Sequence, residues 1–240
     1  MDKYLKLKEI IKNSKHLVIF TGAGISVPSG IPDFRSSNGL YNEKTKYNIS
    51  PEEIISHSFF IEHTKEFYEF YKNKMMYLDA LPNKAHYYFK DLEKDKDVVI
   101  VTQNIDGLHS LAGSSIVYEI HGSIYRNYCL RCNEFYDAEF IKNSKDLPIC
   151  PKCGGLIKPD VTLYEEQLNY EVVNKARNAI RNADTLIVVG TSLQVYPAAA
   201  YVNDFMGNNL ILINKSKTPY DSYASMVFNE DIIEVINKIK

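Results

Sequence analysis

Leu17-Val18-Ile19-Phe20 runs directly into Thr21-Gly22-Ala23-Gly24-Ile25-Ser26-Val27-Pro28-Ser29-Gly30-Ile31-Pro32-Asp33-Phe34-Arg35. The first four residues are apolar, β-branched or aromatic, and they end at a glycine turn, which predicts a buried strand. Gly22 and Gly24 lack a Cβ, so backbone N–H groups in this turn can approach a phosphate closely. A strand that opens through Gly-x-Gly into a helix start is how dinucleotide folds seat a pyrophosphate. The fingerprint is incomplete, because Val27 stands where a third glycine belongs. Pro28 and Pro32 stiffen the segment, and Asp33, Phe34 and Arg35 set an acid, a ring and a guanidinium side by side. Taken alone, these residues also suit a surface loop with an Asp33–Arg35 pair.

The same arrangement recurs down the chain. Residues 98–101 predict a second buried strand, ending in Thr102-Gln103-Asn104-Ile105-Asp106-Gly107-Leu108-His109. A third, 116–119, precedes Ile120 and His121-Gly122. A histidine at a strand end is a candidate general base, although most lone histidines are structural. Residues 185–189 form the most apolar run and close on Gly190-Thr191-Ser192, while 210–213 close on Asn214. Residues 161–164 also read as a strand. Helices are expected over 3–15, from the Ser50-Pro51-Glu52-Glu53 start onward, through the aromatic-rich 58–78, and over 83–94, 171–182, 196–206 and 231–239.

Right-handed crossovers bring the carboxyl ends of parallel strands to one edge, where open α/β sheets bind ligands. The clusters at Gly22, Gln103, Gly190 and Asn214 therefore converge. The fold class is α/β: a Rossmann-like parallel sheet built from 1–37, 82–122 and 158–240. Insertions at 38–81 (helical) and 123–157 (cysteine-bearing) form a smaller domain.

Cys129-Leu130-Arg131-Cys132 and Cys150-Pro151-Lys152-Cys153 make two CxxC knuckles separated by 17 residues (150 − 132 − 1). That spacing suits a four-thiolate zinc ribbon, with Cys129, Cys132, Cys150 and Cys153 as ligands. All four positions are filled by protein, so the zinc is read as structural; a redox pair is the alternative. The 240-residue chain is 45 % hydrophobic, enough for a sizeable core, and its net charge of −2 argues against a nucleic-acid or basic membrane-binding role. No apolar run approaches a membrane span, and 1–6 lack a signal core, so a cytoplasmic protein is expected.

With these residues assembled, the chain resembles the sirtuins, the NAD-dependent protein lysine deacylases, and most of all short bacterial members. The matching motifs are 22–26 with 29–35, 102–109, His121-Gly122, the two CxxC pairs, and Gly190-Thr191-Ser192 with Val195-Tyr196-Pro197-Ala198-Ala199. The resemblance implies NAD as co-substrate and His121 as catalytic base. It assigns Ala23, Phe34, Arg35, Gln103, Asn104, Ile105 and Asp106 to the NAD and nicotinamide pockets, with Gly22, Gly24 and His121 also binding the cofactor. Gly190, Thr191, Ser192, Asn214, Asp231 and Ile232 fall on its phosphate and adenosine side. Val161, Thr162, Tyr164 and Val195 fall on the acyl-lysine peptide, so acylated proteins are the implied partners, with no nucleic acid and no membrane. Products would be free lysine, nicotinamide and O-acyl-ADP-ribose. Protein ADP-ribosyl transfer and a non-catalytic NAD sensor are the rival readings.

Some positions depart from the family pattern. Glu165 stands where the family usually has glycine, adding a charge beside the peptide groove that would favour basic substrates. Val27 replaces a common threonine. Tyr68-Glu69-Phe70-Tyr71 occupies the place of a Tyr-x-x-Arg pair that binds acidic acyl groups, so neutral acyl groups, acetyl first, are expected.

Overall fold

A computed structural model describes residues 2–34, 39 and 49–240. The chain opens with α1 (Lys3–Asn13) and β1 (His16–Thr21). Three short helices, α2 (Pro51–Ile54), α3 (His57–Glu62) and α4 (Thr64–Lys74), lead to α5 (Lys84–Leu92), β2 (Asp97–Thr102), α6 (Leu108–Leu111) and β3 (Val117–Glu119). Then come β4 (Gly122–Cys129), β5 (Phe135–Tyr136), α7 (Ala138–Asn143) and β6 (Ile157–Val161). The C-terminal part contains α8 (Tyr170–Asn182), β7 (Thr185–Val189), β8 (Asn209–Ile213), β9 (Met226–Phe228) and α9 (Ile232–Ile239).

Six strands form one sheet in the order β3-β2-β1-β7-β8-β9, and every pairing in it is parallel. The strand order reverses between β1 and β7, which is where such sheets open a ligand crevice. Burial explains the composition of these strands. β7 is buried along its whole length, and β1 is buried beyond His16, as sheets covered on both faces require. One face packs Ile19, Ile100 and Ile187 against α1, α5 and α9. The other packs Phe20, Val101 and Val188 against α8 and the 3-10 turn Ala198–Asp204. The expected Rossmann-like architecture is therefore present.

A second, antiparallel sheet, β5-β4-β6, shares a separate apolar cluster with α2, α3, α4 and α7. The two inserted stretches are bound to each other directly. The Tyr68 hydroxyl donates to the Ile157 carbonyl, and Lys72 Nζ donates to the Ser144 carbonyl at 2.6 Å.

Several sequence expectations are corrected. The strand expected at 161–164 lies earlier, at Ile157–Val161, where Ile157, Pro159 and Val161 alternate inward. Pro159 masks it, because proline within a run argues against a strand. β4, with its bulged pairing to β6, and β9 are additions that the sequence pattern does not announce. The helix expected over 196–206 is a 3-10 turn confined to Ala198–Asp204. The start at Ser50 is as expected, with its hydroxyl accepting from the Glu53 amide, but it opens a single turn, and the aromatic stretch then breaks into two helices at His63.

Tyr68 and Tyr71 give this small core a clean test. Both rings are almost fully buried, but among the described residues the Tyr71 hydroxyl has no hydrogen-bond partner. A buried orphan hydroxyl is a penalty, whereas a satisfied one contributes. Tyr71→Phe is expected to raise stability by about 1 kcal/mol and Tyr68→Phe to lower it by a similar amount. Denaturant melts of the two variants, which should shift in opposite directions, check this.

Candidate active site

The loops after β1 and β7 meet backbone to backbone. A Cβ on Gly24 would lie 2.7 Å from Gly190 Cα, and one on Gly22 would lie 2.6 Å from Thr191 Cβ. Gly24 N donates to the Gly190 carbonyl at 2.8 Å, and Gly22 N donates to the Val189 carbonyl at 3.0 Å. The N–H groups of Gly22 and Gly24 are themselves used in joining the loops. What their missing Cβ atoms provide is the close approach itself.

That contact positions a buried polar pocket. Asn104 Nδ2 donates to the Gly22 carbonyl (3.2 Å) and to Ser26 Oγ (3.1 Å). A carbonyl can only accept, so the amide nitrogen must face Gly22, and Asn104 Oδ1 remains an acceptor. Ser26 Oγ in turn donates to Asp106 Oδ2 at 2.6 Å, while Leu108 N donates to Asp106 Oδ1. Burial raises the Asp106 carboxyl above its usual range, with the Ser26 and Leu108 bonds opposing. Gln103 Nε2 reaches Thr191 Oγ1 at 3.1 Å, tying the end of β2 to the loop after β7.

Beneath this pocket lies a chain of hydroxyls and imidazoles. Thr21 Oγ1 donates to Thr102 Oγ1 (2.8 Å), which also accepts from the Asn104 amide (3.0 Å). His109 Nε2 meets Thr21 Oγ1 at 3.1 Å. Because the Thr21 proton is already given to Thr102, His109 must donate from Nε2, and its Nδ1 is bare. The Asn83 amide donates to His86 Nδ1, so the proton of His86 is on Nε2. The two ring centroids lie 4.7 Å apart. Asn83 Nδ2 then holds the Ile25 carbonyl (2.8 Å) and Ser29 Oγ (2.9 Å). His86, read from sequence as structural, is completely buried in this network.

His121 follows β3 and faces the cleft. Its Nδ1 lies 2.9 Å from the Gln103 carbonyl. Only an N–H can pair with that oxygen, so Nδ1 carries the proton and Nε2 has a free lone pair. Burial lowers the imidazole pKa below its usual value, and the Gln103 carbonyl only partly offsets this. The ring is thus neutral at pH 7 and able to accept a proton at Nε2. Gly122, next in sequence, sits at φ +81°, and a Cβ there would lie 1.8 Å from the Asp160 carbonyl.

One cleft of about 1320 Å³ gathers the sequence-predicted residues. Gly22, Ala23, Gly24 and Phe34 line it from β1, and Gln103, Asn104, Ile105 and Asp106 from β2. Gly190, Thr191, Ser192 and Val195 line it from β7, Asn214 from β8, and Asp231 with Ile232 from the start of α9. Val161, Thr162 and Tyr164 contribute from the far wall. Arg35 lies outside the described residues. Ile55, Met75 and Tyr77 line the cleft but escape sequence reasoning, since an apolar residue beside a helix end is indistinguishable from core by periodicity. Lys215 and Glu230 escape it too; they carry no motif and simply flank the predicted Asn214 and Asp231. Tyr68 and Tyr71, which occupy the place of the family's Tyr-x-x-Arg pair, are core residues and are not among the described residues that line the cleft.

The four cysteine sulfurs lie within 4.8 Å of one another. Neighbouring pairs are separated by 3.4 Å (Cys129–Cys153 and Cys132–Cys153) and 3.7 Å (Cys132–Cys150). A tetrahedron with Zn–S bonds of about 2.3 Å has edges of roughly 3.8 Å, so the set fits one zinc ion. No fifth donor is required, and the ion would brace the ends of β4 and β6 at a distance from His121.

A glycine-packed switch point in a parallel sheet thus opens a cleft lined by an amide, a buried acid and a neutral imidazole. Comparison with known proteins gives the family. Residues 22–197 match the Sir2 family, and the chain belongs to that family. It is 56 % identical, over 99 % of its length and 98 % of the relative's, to a protein named NAD-dependent protein deacetylase in Clostridium perfringens. A protein of the same name in Clostridium tetani is 53 % identical over 100 % of this chain and 98 % of its own. A Sir2 structure holding a deacetylated p53 peptide and 3'-O-acetyl-ADP-ribose superimposes with TM-score 0.90 at 38 % identity, covering 99 % of this chain and 97 % of that one.

Two measurements test this site. Burial holds His86 down at about 4 and lowers His109 and His121 below the ordinary histidine value. Below about pH 6.5 the unfolded chain therefore binds more protons than the folded one, so stability falls as pH falls from 6.5 toward 4. Each such histidine contributes up to about 1.4 kcal/mol per pH unit. Urea midpoints at pH 7.5, 6.5 and 5.5 should decline over the last step, and a flat profile would contradict the neutral assignment. Metal analysis should find about one zinc per chain, and Cys132→Ser should both lose it and lower Tm.

Proposed function

We infer that this chain is an NAD-dependent protein lysine deacetylase. It removes acetyl and other neutral acyl groups from lysine side chains, giving nicotinamide and O-acyl-ADP-ribose. The observation that carries the reading is an imidazole with a bare Nε2 sharing one cleft with a glycine-packed strand switch point, in a chain so similar to named deacetylases. When bound, NAD supplies the ribose that accepts the acyl group as nicotinamide departs.

The chain's own residues divide the remaining work. The Gln103 carbonyl keeps the His121 proton on Nδ1, so His121 acts as general base through Nε2. Asn104 Oδ1 accepts from the carboxamide, and Ser26 and Asp106 fix Asn104 for that purpose. Phe34 and Ile105 exclude water, with Arg35 assigned to the same end. Ala23 lines the nicotinamide pocket, Gly190, Thr191 and Ser192 receive the phosphates, and Asn214, Asp231 and Ile232 hold the adenosine. Val161, Thr162, Tyr164 and Val195 bind the acyl-lysine peptide. Tyr68-Glu69-Phe70-Tyr71 carries no arginine where the family's acid-acyl pair would have one, which supports neutral acyl groups. We also assign residues 38–81 and 123–157 to one small domain, supported by their common apolar cluster. No described helix is long and apolar enough to cross a membrane, and acylated proteins in the cytoplasm are the proposed substrates.

Mass spectrometry of an acetyl-lysine peptide incubated with enzyme and NAD should show unmodified lysine, nicotinamide and acetyl-ADP-ribose in equal amounts. His121→Ala should slow this by roughly 10²- to 10⁴-fold. A peptide made heavier by ADP-ribose, or full turnover by His121→Ala, would overturn the assignment.

A further inference from the structure

Glu165 is held at φ +74°, a left-handed conformation that residues with a Cβ adopt only at a cost. Its side chain shows what offsets that cost. Glu165 Oε2 accepts from Ser58 N at 2.8 Å and from Ser58 Oγ at 2.6 Å. These bonds, the hydroxyl first, keep the carboxyl below its usual value. Neighbouring bonds sew the same turn to the same helix. Tyr164 N donates to the Ile55 carbonyl and His57 N to the Tyr164 carbonyl, while His57 Nδ1 meets Glu166 Oε1 at 2.9 Å. On the opposite side, Thr162 N donates to the His121 carbonyl at 3.0 Å.

The result is a rigid edge on the cleft wall. Among the described residues, the main-chain N–H and C=O of Glu165 make no hydrogen bond, and the residue lines the cleft. Extended peptides bind to such edges through main-chain hydrogen bonds, and a pre-set edge binds them at a lower entropic cost. The Glu165 charge expected beside the groove is thus fixed in place by Ser58, whose neutral donors orient the carboxylate without cancelling it.

We propose that Glu165 is a positioning residue for the acyl-peptide: its bonds to Ser58 hold the 163–166 turn in the left-handed form that a substrate strand pairs with. This rests on the reading of the cleft as an acyl-peptide groove. Glu165→Ala breaks both bonds and keeps the strain. Glu165→Gln keeps an acceptor for Ser58 without the charge.

The test is steady-state deacetylation of one neutral and one lysine-flanked acetyl-peptide, paired with hydrogen exchange of amides 163–167 in the free enzyme. For Glu165→Ala, KM for both peptides should rise roughly five- to ten-fold, with kcat and the NAD KM unchanged, and exchange should quicken. Glu165→Gln should restore both readouts to within about two-fold of the parent. Wild-type peptide KM or unaltered exchange in Glu165→Ala overturns the proposal. So does a Glu165→Gln defect confined to the lysine-flanked peptide, which would mark charge selection instead. An unsubstituted enzyme that exchanges as expected but never deacetylates either peptide with NAD would remove the groove reading, and this proposal with it.

Discussion

Everything at the catalytic edge depends on how closely two backbones can approach between Gly24 and Gly190. β1 and β7 are adjacent parallel strands whose connections leave toward opposite faces of the sheet. Their following loops would normally splay apart, and here they touch. The contact places the Gly22 carbonyl where it can orient Asn104, and Thr191 where it can hold Gln103. Gln103 then sets the tautomer of His121 through its own carbonyl. Any side chain at the crossing would separate these partners by more than a hydrogen bond can span.

The antiparallel sheet and the helices that share its apolar cluster meet a different constraint. The sheet includes a strand of two residues, and the helices are one to three turns long. Elements so short cannot bury enough surface by themselves. Three devices compensate: the interlocked aromatic rings of α3 and α4, lysines that tie α4 and α7 together, and the closed thiolate site. The bonds from Glu165 and Glu166 to residues 57 and 58 extend this bracing to the cleft wall.

Much of this is legible in the amino-acid order. Strands buried on both faces announce themselves as continuous apolar runs, which is why β1, β2, β7 and β8 stand out, with the polar clusters at their ends. The cysteine spacing exposes the metal site for a similar reason, since ligand geometry fixes the gaps. What stays hidden depends on pairing between distant residues. β6 alternates through a proline, and β4 gains its strand character from partners far along the chain, as in Tyr128↔Lys158 and Gly122↔Val161. The glycines signal close approach, but the backbone they approach, at residue 190, lies far along the chain, so that contact is not legible from their neighbours. The acyl-recognition positions fall in the interior because helix register, not motif spacing, decides which face a ring occupies.

His121 stands where the chain passes from the parallel sheet into the antiparallel one, after β3 and directly before β4. The return crossing, at Thr162, is bonded to it. Two chain segments joined in this way tie the base to both sheets at once: the parallel sheet orients its ring through the Gln103 carbonyl, and the antiparallel one anchors its backbone through Thr162.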